Sequence, residues 1–367
     1  MNVLILIVAI SVVILLANRN NLTICVALGT LMLCSYYFWW EPNPEADLNW
    51  HYHFWDDVSY LSFKDVISMN SSNINMISSI YTEKFIRTCP VFSLFVWLLT
   101  FLKVKYILPV LVSIIIYYSS FRLVYSSGKN NFLTTDAIKV GIIYVLCLTN
   151  FFGLGGLRNP LAYTLFALVI YYDFGGKINK VVSFGLYIML CLIHSSCFIL
   201  LGFRILYLFA SRFDDIFIYL FLFAAIVGIE IVLKVVGSLG GILQDVVVTQ
   251  SGYLTSGSGV VNGYSRTIKV LNYIWLAYLF YLYSKDRPDR FPSILRYSKW
   301  ILFFTILNLQ NYDVFVRMSY FLLPLSVIFV VDLVNEKYNL HKFKTVLFVV
   351  CGFTLLWLSF TAYTALD

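Results

Sequence analysis

Long apolar runs, broken by short polar turns, constrain this chain before any single residue does. Runs such as 106–125, 137–154 and 314–332 hold about 20 residues each. As α-helix, a run of that length covers about 30 Å, the thickness of a bilayer's hydrocarbon. Of the 367 residues 60% are hydrophobic and 12% charged, with a mean hydropathy of +0.82. Soluble domains of this size do not have that composition. The sequence therefore predicts an all-α polytopic membrane protein, a single integral membrane domain over 1–367. The expected spans are 2–17, 22–40, 106–125, 137–154, 160–172, 181–193, 197–210, 216–236, 268–284, 299–311, 314–332 and 344–363. Residues 1–17 carry no basic leader and no small-residue cleavage site, and read as a retained first span. Seven cysteines scattered through apolar runs lack metal spacing and read as packing residues.

Twelve crossings place both ends outside, and charge tests that orientation. With each charge assigned to its nearer side, the inner segments hold 16 Lys+Arg and 8 Asp+Glu. The outer ones hold 10 and 11, which accounts for all 26 basic and 19 acidic residues. The excess lies inside, as the positive-inside rule requires. The inner loop 285–299 is the most basic, with five positive and two negative residues. The net charge of +7 thus reflects topology; no basic patch interleaved with aromatics suggests nucleic acid. Two outer loops are large, at about 41–105 and 237–267. Within the first, the apolar run 90–102 is too short to cross and would invert every later loop, so it is expected as an interfacial or re-entrant helix. The second, rich in Gly, Ser and Thr, reads either as a lid over a ligand or as a solvated connector.

The most informative break is Gly153-Leu154-Gly155-Gly156-Leu157-Arg158-Asn159-Pro160-Leu161-Ala162. Asn159 suits an N-cap and Pro160 a first helical position, which predicts a helix over 160–172 too short to span the bilayer. Irregular backbone at membrane depth is tolerated where it lines a cavity, and a helix N-terminus attracts anions. Gly155, Gly156 and Arg158 therefore read as a seat for a phosphate-like group. Two other outer turns stop short of the surface by the same length argument. One lies between 181–193 and 197–210 and carries His194; the other lies between 299–311 and 314–332 and carries Arg317. Together they predict a polar cavity open to the outside.

Each of these residues also has a structural reading. Arg158 can close a salt bridge or cap carbonyls. Arg317 has Asp313 one helical turn earlier, and Arg266 can be solvated in its loop. His194 can be a core histidine bonded to a carbonyl, or a base that takes a proton from a hydroxyl. Ser195 beside it lacks any nucleophile-elbow pattern. In the first outer loop Glu45, Asp47, His51, His53, Asp56 and Asp57 have residue types that could hold a divalent metal. Acidic loops with aromatics are common at membrane surfaces, and no metal or other cofactor is expected.

Several of these stretches share the pattern of one family. Gly156-Leu157-Arg158-Asn159-Pro160-Leu161-Ala162 resembles the glycine–apolar–Arg stretch of EpsG-like and Wzy-type polysaccharide polymerases. That family more often has Gln-Gly after the arginine. Ile193-His194-Ser195-Ser196 is similar to their apolar-His element, and Arg317-Met318-Ser319-Tyr320-Phe321 to their late Arg-apolar-Ser-Tyr helix start. Asp47 followed by Tyr52 and Phe54 resembles their first outer loop. The resemblance implies a membrane fold related to the GT-C glycosyltransferases in the bacterial inner membrane. It implies a glycosyltransferase that joins undecaprenyl-pyrophosphate-linked repeat units of O-antigen, capsule or exopolysaccharide at the outer face, with a chain-length regulator as a further partner. The pyrophosphate contacts would be Arg158, Arg317, Arg266, Gly155 and Gly156. His194 is then the first candidate for the base and Asp47 the second.

Three competing readings start from the same residues. A metal-dependent transferase would use Glu45 and Asp47. A flippase or transporter for the same lipid would need the arginines but no base, and such proteins usually show internal repeats, none of which is visible here. An O-antigen ligase would share the cavity but use a different acceptor.

Overall fold

The computed structural model describes residues 47–68, 80–127, 133–145, 157–227, 263–287, 289–309 and 311–336, together with Ile24, Ala27 and Leu28. The expected spans 2–17, 22–40 and 344–363 lie outside the described residues. Among the described residues every regular element is helical. The first four are α1 (Asp47–Ser59), α2 (Phe63–Ser68), α3 (Ile80–Thr88) and α4 (Pro90–Thr100). They are followed by α5 (Ile107–Ser126), α6 (Thr135–Tyr144), α7 (Arg158–Phe174), α8 (Lys180–Ile193) and α9 (Cys197–Ala210). The last are α10 (Asp215–Val227), α11 (Gly263–Asp286), α12 (Pro292–Leu307) and α13 (Tyr312–Asn335). By length and composition α5 and the segment Val314–Asn335 of α13 can cross a membrane. Pro90–Thr100, Lys180–Ile193, Cys197–Ala210 and Asp215–Ala224 are apolar but shorter.

Helix α13 is the hub, packing against α5, α6, α7, α11 and α12. Its side chains from Phe321 to Val334 are almost wholly buried. Close approach is built in at Gly141 of α6: a Cβ there would meet Val124 at 2.7 Å and Val331 at 2.8 Å, so only glycine lets α6 lie against α5 and α13. A polar chain ties the same region together. Trp275 Nε1 donates to Tyr144 Oη at 3.0 Å, and the Tyr144 and Ser326 hydroxyls pair at 2.6 Å. Buried polar groups satisfied in this way fix the register of three helices.

A second, smaller core stands apart from this bundle. It is formed by α1–α4 and the beginning of α5, with Leu48, Phe54, Trp55, Phe92 and Val96 at its centre. Helix α4 gathers α1, α2 and α3 around itself and leans on α5 and α8. Trp97 Nε1 donates to the Leu61 carbonyl at 2.9 Å, which pins α4 to the loop after α1. With 11 residues, α4 is about 16 Å long, well short of a bilayer. Leu157 and Leu161, at the start of α7, complete this second core, whereas α7 from Ala162 onward belongs to the main one. The two cores therefore meet at the first turn of α7.

Several boundaries differ from expectation. Helix α7 begins at Arg158, not Pro160, and Asn159 is not its cap: the N-cap position is Leu157, with no side-chain cap. Pro160 falls in the first turn, where an amide hydrogen has no partner inside the helix in any case. Helix α12 begins at Pro292, in the favoured N1 position. Arg296 and Lys299 are thus helical, and the polar turn between α11 and α12 is shorter than 285–299. Helix α11 begins at Gly263, so the backbone of Arg266 lies in its first turn and not in a free loop. The hairpin α8–α9 meets at His194–Ser195–Ser196, within a residue of the expected bounds.

Two ion-pair clusters brace the bundle. Asp332, fully buried, receives Arg290 and, at 3.7 Å, Arg287; the Tyr283 hydroxyl donates to it at 2.8 Å. Arg290 also donates to the Ser127 carbonyl at 2.8 Å. Arg296 pairs with Asp215 at 2.6 Å and caps the Ser211 and Phe213 carbonyls. The turns that charge assigns to the inner side are thus tied to one another, and the turn carrying His194 lies at the opposite end of the α8–α9 hairpin from Ser211.

Candidate functional site

At the seam of the two cores, Arg158 leads α7 into the bundle. Its guanidinium lies 3.7 Å from the centre of the Phe85 ring and 5.9 Å from that of Phe92, and Nη1 donates to Cys89 Sγ at 3.1 Å. Phe85, Cys89 and Phe92 sit on α3, the junction and α4, so the second core carries the arginine. Among the described residues no carboxylate pairs with it. Aromatic faces and a thiol hold the guanidinium in place.

His194 closes α8, where its backbone takes an extended conformation and its amide still bonds to Leu190. The ring is buried and anchored from one side. Ser196 Oγ lies 2.5 Å from Nδ1, and the Ser196 amide donates its hydrogen to the same nitrogen at 3.2 Å. Tyr163 of α7 donates its hydroxyl to Ser196 Oγ at 2.9 Å, and its ring centre lies 6.2 Å from the imidazole. Nδ1 is therefore engaged by the protein, and Nε2 is the nitrogen left to meet a ligand. His194 stands in the electrostatic field of Arg158, Arg317 and His51. Arg317, in the second turn of α13, also acts on Tyr163 and Cys197. Three turns that the sequence nominated separately thus converge: those of Arg158, His194 and Arg317.

The remaining nominated residues fare differently. Gly155 and Gly156 lie outside the described residues. The backbones of Arg266 and Asp47 are helical, at the first turns of α11 and α1, and their side chains lie outside the described residues, as does that of Asp313. In α1, His51 is buried whereas His53 is exposed, so the two imidazoles do not face a common point. Asp56 pairs with Lys105, and Asp57 accepts the Thr82 hydroxyl at 2.5 Å. Among the described residues no group of three or more metal-binding side chains is present. Glu45 is outside them.

Sequence reasoning did not single out His51, Tyr163, Ser196 or Cys89 for this site. For His51 a signal existed: it stands four residues after Asp47, one turn along the same face of α1. Its ring packs edge-on against Phe85 at 6.2 Å and Phe92 at 5.5 Å, the two rings that bracket Arg158. Helix α1 lies outside the candidate spans. Burial first, and the Arg158 guanidinium second, push the His51 imidazole down to about 3, so this ring is neutral at physiological pH.

Away from the seam, a buried triad holds the hairpin on α7. Arg204 Nε donates to Asp173 Oδ2 at 2.7 Å, with both side chains almost fully buried. The Tyr187 hydroxyl donates to the same oxygen at 2.8 Å. Arg204 also stacks over Phe174 at 4.7 Å and Phe184 at 5.6 Å. This triad sets where α8 runs, and with it where His194 emerges.

The EpsG family model matches residues 55–367, from the middle of α1 to the end of the chain. No curated protein matches, and no solved structure does.

Proposed function

This chain belongs to the EpsG family, a family of Wzy-like polysaccharide polymerases, and from that premise we propose that it joins lipid-linked oligosaccharide repeat units at the outer face of the bacterial inner membrane. The donor is a growing glycan on undecaprenyl pyrophosphate; the acceptor is a hydroxyl of the incoming unit. The convergence of Arg158, His194 and Arg317 at one seam carries this reading. As the glycosidic carbon–oxygen bond breaks, negative charge grows on the departing pyrophosphate. An arginine can hold such an oxyanion with two parallel N–H bonds. One charge pair at about 4 Å is worth roughly 4 kcal/mol at an effective dielectric near 20, before desolvation is subtracted. Arg158 and Arg317, with Arg266, Gly155 and Gly156 as further contacts, supply this stabilisation.

The acceptor oxygen forms the new bond to the same sugar carbon and gives its proton to His194 Nε2. In this geometry Nδ1 accepts the Ser196 amide hydrogen, so the resting ring carries its own hydrogen on Nε2; acting as the base requires that hydrogen to move to Nδ1 and the amide contact to open. Ser196 Oγ has two lone pairs and can then accept from both Nδ1 and the Tyr163 hydroxyl, so the serine stabilises the imidazolium that forms. Asp47 is the alternative base.

Cells lacking the chain test the assignment through their surface glycan. Accumulation of single repeat units, with long chains restored by the wild-type chain, is the result expected of a polymerase. Complete loss of surface glycan would instead indicate a ligase or a flippase and overturn the proposal.

A further inference from the structure

We propose that His51 is a further binding residue of this site, donating its Nδ1–H to an oxygen of the same phosphate group that Arg158 holds. The inference rests on the pyrophosphate reading above and adds a contact that the motifs did not point to. His51 is 4% exposed, and among the described residues its Nδ1 has no hydrogen-bond partner. Buried polar atoms in native proteins are nearly always paired, and one left unpaired calls for a ligand, a water or a functional role. Two more such atoms belong to the chain neighbours of the same pair. The Tyr52 hydroxyl, next to His51, and Asn159 Oδ1, next to Arg158, are also buried without partners among the described residues. Unsatisfied polar atoms on α1 and α7 thus flank the point where their two cores meet.

The geometry favours an anion as the missing partner. His51 and Arg158 share Phe85 and Phe92 as neighbours, so a group gripped by the guanidinium lies in reach of the imidazole. An anionic oxygen held by Arg158 needs donors, and a neutral imidazole offers one without adding a second buried charge. Aromatic packing on both sides fixes the ring, so little rotamer freedom is lost when the bond forms.

The test is calorimetric titration of inorganic pyrophosphate into the purified full-length chain in phosphatidylcholine nanodiscs, comparing four variants with the parent. Arg158→Ala should abolish binding. His51→Leu should weaken it by about tenfold or more, the change expected on losing one hydrogen bond to a charged group. His51→Asn carries an amide N–H to the δ position and should stay within about threefold of the parent. Should His51→Leu fail to accumulate, His51→Gln decides, because its amide reaches the ε position instead. Weak binding by the glutamine variant beside normal binding by the asparagine variant upholds the proposal. Equal affinity in the parent and in His51→Leu or His51→Gln overturns it, even where Arg158→Ala loses pyrophosphate and the site itself stands. Unchanged binding in Arg158→Ala would instead remove the pyrophosphate reading and this inference with it.

Discussion

Among the described residues the neighbours of Arg158 are rings and a thiol, with no carboxylate paired to it. That environment weakens the salt-bridge reading left open by the sequence and gives the arginine a surface to rest on while it binds. Lysine could occupy the same volume, but its point charge cannot reproduce a bidentate grip or a flat stack on Phe85. Arg158→Lys should therefore insert normally and yet shorten the surface glycan to one or a few repeat units. Gel banding of extracted glycan alongside immunoblots of membranes provides the check; near-normal chain length in the lysine variant would make the arginine structural. The sequence pointed to Arg158 and His194 because charged or titratable groups stand out against apolar runs. Tyr163 and Ser196 did not stand out, since hydroxyls are common in such helices and only the fold brings Ser196 to Nδ1 and Tyr163 to Ser196. The sequence offered His51 and His53 only among residues of metal-binding type, with no metal expected, and the helix buries one and exposes the other.

At the scale of elements, the site depends on how the α8–α9 hairpin sits on α7. The Asp173–Arg204–Tyr187 triad fixes that seat in a dry interior. Removing one partner leaves an uncompensated buried charge, which typically costs about 3–5 kcal/mol. Arg204→Ala should lower the thermal stability of the purified chain clearly, and an Arg204→Met, Asp173→Leu double variant should recover much of the loss. If the single variant melted with the parent, the triad would have no part in holding the hairpin. Arg204 lies 31 residues from Asp173, and no local sequence pattern links the two. Helix starts were misplaced for a related reason. Proline and asparagine mark where a helix can begin, whereas the packing of Arg158 against Phe85 accompanies an earlier start for α7.

For the whole molecule, the length and charge arguments were strongest where runs are long, as in α5 and α13, and weakest in the short helices α1–α4, whose core forms only through contacts between them. The inner-side assignment makes a direct prediction. In a background without native cysteines, His53→Cys should react with an impermeant thiol reagent from outside intact cells, and Asp289→Cys only after permeabilisation. Reaction at position 289 from outside would reverse the orientation and place the seam on the wrong face. The central claim is that the seam performs glycosyl transfer with His194 handling the proton, and turnover by the purified chain supplied with undecaprenyl-pyrophosphate-linked repeat units measures it most directly. Removal of a general base costs about 10²–10⁴-fold in rate, so the account predicts a loss of that size for His194→Gln while pyrophosphate binding persists. A His194→Gln rate within a few-fold of the parent would contradict it.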